Sequence, residues 1–233
     1  MKIIKKILRF LLKIFIFFIV STVVVVIIYR FVPPPLTTLM VKRLYDQAVD
    51  EKREVRLTKD WVPLSEIAPS LPRAVIASED QQFVTHFGLD FKAIEKAQKY
   101  NEKHKGKKVK GASTISQQTA KNVFLWPDRS YLRKALEVYF TFLIEMFWSK
   151  YRIMEVYLNV IELGDGVYGA EAGAREHFNK SASKLTNAQS ALIAACLPNP
   201  LKWSPARPTS YIKRKQAWIL RHMNKARKPE FLE

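Results

Sequence analysis

Residues 131–157 read YLRKALEVYFTFLIEMFWSKYRIMEVY, and their spacing sets the fold class. Leu136, Phe140, Leu143, Ile144 and Phe147 fall three or four positions apart, which places them on the apolar faces of one long helix. Arg133, Glu137 and Glu145 form its polar stripe. Arg133 and Glu137 would make an ordinary exposed i,i+4 pair, but a helix this apolar leaves little surface to water, so Glu137 is expected to point into a cleft. The aromatics crowded between Phe124 and Trp148 suit core packing or a surface dipping into the outer leaflet of a membrane. Helical spacing continues outward over 36–49, 91–100, 113–124, 169–178, 188–197 and 211–223. No stretch sustains period-two alternation, so the chain is predicted to be mainly α.

The 233 residues suffice for one compact domain and an appendage. The appendage is the N-terminus. From Ile14 to Tyr29 no residue is charged, and 10–32 is long enough to cross a bilayer. No small-residue cleavage site follows, which predicts an uncleaved signal anchor and not a removed leader or a buried core helix. Lys2, Lys5, Lys6, Arg9 and Lys13 precede the charge-free run, and only Arg30 follows it closely. That bias puts the N-terminus in the cytoplasm and the rest outside. Pro33-Pro34-Pro35 makes a stiff spacer. The expected organisation is a basic tail over 1–9, a span over 10–32, a linker and membrane-proximal helix over 33–50, and a main domain over 51–233.

The net charge of +18 would suit a nucleic-acid binder, but the predicted topology removes the domain from nucleic acid and no binding module is present. A single cysteine, Cys196, excludes an internal disulfide and a cysteine-based zinc site, and seven glycines argue against a glycine-rich phosphate cradle. Lys103, Lys105, Lys107, Lys108 and Lys110 mark a mobile basic loop, either a solvated tether or a grip on an anionic substrate or lipid surface.

Pro72 opens a short apolar segment, Ala74-Val75-Ile76-Ala77, that delivers Glu79 and Asp80 at the far end of a helix. Two acids there oppose the helix dipole, a local cost that invites a functional explanation, although an acid pair alone is more often a solvated turn. His86 and Asp90 lack a third ligand, so a structural hydrogen bond is expected there and not a metal. Ser113 or Thr114 caps the next helix, leaving hydroxyls and the glutamines at its opening, with Lys121 two turns on. Such a set can hold sugar and phosphate oxygens.

Five segments in order resemble the motifs of the peptidoglycan glycosyltransferases, glycosyltransferase family 51. They are Glu79-Asp80-x-x-Phe83-x-x-His86-x-Gly88-x-Asp90, Gly111-x-Ser113-Thr114-Ile115-x-Gln117-Gln118-x-x-Lys121-Asn122, Arg133-Lys134-x-x-Glu137, Ile153-Met154-Glu155-x-Tyr157-Leu158-Asn159 and Gly164-x-Gly166-x-x-Gly169. With no room for a transpeptidase domain, the chain is most similar to the monofunctional, biosynthetic type. Ser116, Leu89 and the run His177-Phe178-Asn179-Lys180 depart slightly from the family pattern.

The resemblance implies a lysozyme-like α domain with a cleft open to the membrane, which polymerises lipid II into glycan strands. It casts Glu79 as the general base and Glu137 as a second carboxylate that supports the site. It puts Lys121 and Arg129 on the pyrophosphate, with Arg133 and Lys134 nearby, and Gln118 on sugar or phosphate. Asp80, Phe83, His86, Ser113, Thr114, Gln117, Asn122, Glu155 and Asn159 are the other expected substrate contacts. No cofactor is required, although a divalent Mg or Mn ion assists some members and no dedicated cage for one is visible. Expected partners are lipid II, lipid-linked glycan, membrane lipids and other cell-wall synthesis or division proteins. A lysozyme-like hydrolase and an anchored scaffold are the alternatives. The cations argue against the hydrolase, because a neutral glycan does not require them and a pyrophosphate leaving group does.

Overall fold

The computed structural model describes residues 2–105, 109–128, 130–224 and 229. The first helix, α1 (Lys2–Phe31), runs unbroken through both the basic tail and the apolar run. Most of its side chains are exposed, as a helix meant for lipid requires, so it is not the core helix of a globular body. Its C-terminal third is docked. Val26 is fully buried, the Trp148 indole donates to the Val26 carbonyl at 2.8 Å, and the Thr22 and Tyr139 hydroxyls lie 2.7 Å apart. The Arg152 guanidinium donates to the carbonyls of Tyr29 and Val32 at 2.8 and 2.9 Å, taking up acceptors that the helix end leaves open. The proline spacer is held as well, because the Lys59 ammonium donates to the Pro34 and Pro35 carbonyls.

Helix α2 (Thr38–Ala48) follows, capped by Thr37. Helix α3 (Ser70–Glu79) starts two residues before Pro72, which sits in the first turn, where its missing N–H removes no intrahelical bond. Helices α4 (Phe91–Lys103) and α5 (Ile115–Phe124) carry Asp90 and Thr114 as N-caps. The predicted long helix is two helices. α6 (Tyr131–Phe147) ends where Trp148 turns extended, and Ser149 caps α7 (Lys150–Val160). The apolar period runs across the break, but the two pieces bury different faces: α6 keeps exposed flanks, whereas every residue of α7 from Ile153 to Val160 is buried. Helices α8 (Ala170–Phe178), α9 (Asn187–Cys196) and α10 (Ser210–Met223) complete the body.

A small sheet is not apparent from the sequence because its strands are too short to show a period. β1 (Thr58–Lys59) pairs in parallel with β3 (Val167–Tyr168), which pairs antiparallel with β2 (Glu162–Gly164). The β2–β3 turn needs Gly166, whose φ is +69° and where the Cβ of any other residue would stand 2.3 Å from the Arg56 carbonyl oxygen. Two packed groups make the core: α3 with α9 and α10, and α5 with α6 and α7. The candidate site lies where these groups meet, between the end of α3 and the face of α5.

Candidate active site

The end of α3 and the start of α5 are joined through one carboxylate. Asp80 caps the C-terminus of α3, and its Oδ2 accepts the Ile115 backbone N–H at 3.0 Å and His86 Nε2 at 2.9 Å. The unfavourable end of one helix dipole is thereby offset by the favourable start of another. Thr114 is the N-cap of α5 and forms a capping box with Gln117, and its hydroxyl donates to the Gly88 carbonyl at 2.6 Å. That leaves Ser113 exposed beside the acids.

Glu79, one residue earlier, is half-buried and available. Its carboxylate accepts from Gln118 Nε2 at 3.1 Å and from the Ser78 hydroxyl at 3.2 Å. Gln118 in turn accepts from the Tyr157 hydroxyl at 3.2 Å. Burial first, then the nearby Glu79 and Asp80 charges, pushes the Tyr157 pKa well above the ordinary tyrosine value. Tyr157 therefore keeps its proton, and the Gln118 amide is oriented with its NH2 toward Glu79.

Gln118 also links two cavities, lining one and bonding Glu79 of the other. One, called the acid chamber for Glu79 and Asp80, has a volume of about 790 Å³, and its lining also includes Lys96, Lys110, Arg214, Lys215, Ser113 and Trp218. The other is a cleft of about 470 Å³ lined by Gln118 itself with Arg43, Lys121, Asn122, Arg133 and Glu162. Lys121 has no ion-pair partner among the described residues. Burial lowers its pKa, Glu137 and Glu162 push it back up, and Arg133 and Lys134 add to the lowering. In the acid chamber burial likewise lowers the Lys215 pKa, against the pull of Glu79.

Several expected contacts are framework instead. Phe83 is fully buried beneath the Lys150 ammonium, 4.6 Å from its ring centre, and His86 is turned to Asp80. Asp90 caps α4 and does not pair with His86. Glu155 accepts the Leu64 N–H at 3.0 Å and the Arg152 guanidinium at 2.5 Å, while Asn159 exchanges two bonds with the Val62 backbone. These two α7 side chains thus bracket the 62–64 segment and do not reach either cavity. Glu137 is buried and held by Arg133 at 2.7 Å and Lys134 at 2.5 Å, so it acts on the cleft through its charge and through Arg133, which lines it. Glu145, expected on the same stripe, pairs with Lys150 and the Ser116 hydroxyl.

Lys134 and Gln117 face a separate hollow beside α4. Arg129, Lys107 and Lys108 lie outside the described residues, while Lys110 lines the acid chamber. Among the described residues no group of three His, Cys, Asp or Glu converges to hold a metal. Arg43, Glu162, Lys215 and Trp218 carry no signal in the sequence, since they stand outside the five segments.

The sequence profile described as Transglycosylase matches residues 46–224. A biosynthetic peptidoglycan transglycosylase of Bacteroides thetaiotaomicron is 57% identical over 222 residues, 95% of this chain and 88% of that protein. Proteins of the same description from Bdellovibrio bacteriovorus and Caulobacter vibrioides are 58% and 52% identical, over 81% and 92% of this chain and 74% and 90% of their own lengths. Likeness of this depth over nearly the whole chain means that the chain belongs to the transglycosylase family.

Proposed function

We propose that this enzyme, a peptidoglycan glycosyltransferase of lysozyme-like fold, polymerises glycan strands with Glu79 as general base and Lys121 as a cation on the leaving pyrophosphate. Its substrates are lipid II and the lipid-linked glycan. The observation that carries the reading is Gln118, which lines the cationic cleft and bonds Glu79 of the acid chamber. An inverting displacement needs this division: a proton acceptor on one side of the reacting carbon and stabilisation of developing negative charge on the other. Glu79 takes the proton of the GlcNAc 4-hydroxyl of lipid II as that oxygen attacks MurNAc C1 of the growing strand. The C1–O bond breaks and undecaprenyl pyrophosphate leaves toward Lys121 and Arg133, with Arg129 as the further cation the resemblance supplies.

Asp80 and His86 act as positioning residues that tie α3 to α5. Glu137 serves by fixing Arg133. We further assign α1 as a single membrane anchor with the N-terminus cytoplasmic and the catalytic body on the outer face. Incubation of the full chain with lipid II, followed by mass spectrometry, should yield lipid-linked glycan ladders and undecaprenyl pyrophosphate. Release of lipid-free disaccharides from preformed glycan, without ladders, would replace the transferase by a hydrolase.

A further inference from the structure

The cationic cleft contains a charged pair that none of the five segments supplies. Arg43 comes from α2, and Glu162 opens β2. Their contact is a two-pronged fork, Nε to Oε1 at 2.8 Å and Nη2 to Oε2 at 3.2 Å, which fixes the plane of the guanidinium. Both side chains line the same 470 Å³ cleft as Lys121 and Arg133. The arginine side chain is 26% exposed and the glutamate 10%, so the cation is the member that reaches the open space. Arg43 Nη1 has no hydrogen-bond partner among the described residues.

A pair placed only for stability has no need of a cleft. Here the carboxylate is the less exposed partner, and the guanidinium keeps unused N–H groups in a cavity whose other charged side chains are Lys121, Arg133 and Asp128. Position adds a second reason. α2 follows the anchor after only a short proline spacer, so Arg43 belongs to the part of the catalytic body nearest in sequence to the anchor. In a lipid-linked glycan the pyrophosphate is the group nearest the lipid tail.

We propose that Arg43 is a further binding residue for the lipid-linked pyrophosphate, oriented and partly neutralised by Glu162. This rests on the transferase reading above. Glu162 limits how tightly the cleft grips its anion: a cleft carrying Arg43 without its counter-charge would hold the departing pyrophosphate longer. The arrangement therefore sets product release as well as binding.

The test separates this from the assignment of the base. In the full-length protein, binding of a polyprenyl pyrophosphate and of the matching monophosphate, neither of which carries a glycan to transfer, is measured by calorimetry in detergent micelles. Arg43→Gln should weaken pyrophosphate binding about 10-fold and monophosphate binding less. Glu162→Gln should leave pyrophosphate binding unchanged or tighten it, although both variants lose the same ion pair. Arg43→Lys, which keeps the charge and loses the fork, serves if Arg43→Gln does not fold, and should bind about 3-fold more weakly. Wild-type affinity in the folded arginine variant, or equal weakening by Arg43→Gln and Glu162→Gln, would overturn the proposal and reduce the pair to a structural clamp between α2 and β2. Failure of Glu79 as the base would instead appear in a separate lipid II assay, as polymerisation by Glu79→Gln within threefold of the parent, and would leave these affinities untouched.

Discussion

Glu79→Gln should separate catalysis from stability. The substitution keeps the volume and a hydrogen-bonding end group but cannot accept a proton. General base catalysis contributes roughly 10²–10⁴-fold, so the barrier should rise by about 2.7–5.5 kcal/mol. The folded state gives a different expectation. Glu79 is the last residue of α3, where a negative charge costs about 0.3–1 kcal/mol against the helix dipole. Removing that charge offsets the weaker bond from Gln118, a loss of about 1 kcal/mol once the acceptor is neutral. The two nearly cancel, so the melting temperature should move by no more than about 3 °C. Lipid II polymerisation followed on gels, beside a thermal melt of the same preparation, reads both quantities. Polymerisation within threefold of the parent would remove Glu79 as the base, and a collapse of rate and melting temperature together would make it a structural residue.

Asp80→Ala should do what Glu79→Gln does not. It strips the acceptor from the buried Ile115 N–H and from His86, so the melt should fall by an amount corresponding to about 2–3 kcal/mol along with the rate. Lys121→Ala should lower kcat on lipid II by about 10-fold or more. Lys121→Arg should retain more activity and carry the alkaline limb of kcat/KM to higher pH: burial lowers the lysine pKa, so its charge is lost earlier than an ordinary lysine's, whereas arginine stays charged. The same lowering makes the Lys121 contribution to stability rise with pH, because between the lowered folded value and the ordinary one the unfolded chain binds more protons. Gly166→Ala should destabilise by about 2 kcal/mol or more, since the obstacle to its Cβ is the Arg56 backbone carbonyl and not a side chain that can swing away. Chemical denaturation reads that loss.

The acid pair drew attention because it breaks a local rule, two carboxylates at the wrong end of an apolar helix, although such a pair alone is more often a solvated turn. What the pattern could not say is that the two acids do different things: Asp80 is tied to the next helix and Glu79 is left open, a distinction made by a backbone N–H thirty-five residues away. Either Ser113 or Thr114 could have been the cap, and the capping box with Gln117 selects Thr114. The division at Trp148–Ser149 was hidden by an apolar period that continues across it, and Ser149 was its local signal, an N-cap residue before Lys150. Glu155 and Asn159 read as site residues because they sit in a chemically suggestive segment, yet polar side chains on a wholly buried helix must satisfy themselves, and these do so on the backbone of 62–64. Arg43 and Glu162 were invisible for the opposite reason: each is unremarkable alone, and only a long-range fold puts them in one cleft.

The docked end of α1 changes how such an enzyme moves. Arg152 holds its last carbonyls, Trp148 and Tyr139 hold it lower down, and Lys59 grips the prolines that follow. A loose leash would let the catalytic body wander through a hemisphere above the lipid, with the cleft at a different altitude each moment. This one is docked, and with α1 in a bilayer as proposed, the freedoms left to the body would be rotation about the membrane normal, tilting with the helix and drifting sideways. Its hunt for lipid-borne headgroups becomes a search over an area, not through a volume. On the proposed topology, a lengthening polymer would then move past a cleft kept near the membrane, and the cleft would not travel along the strand.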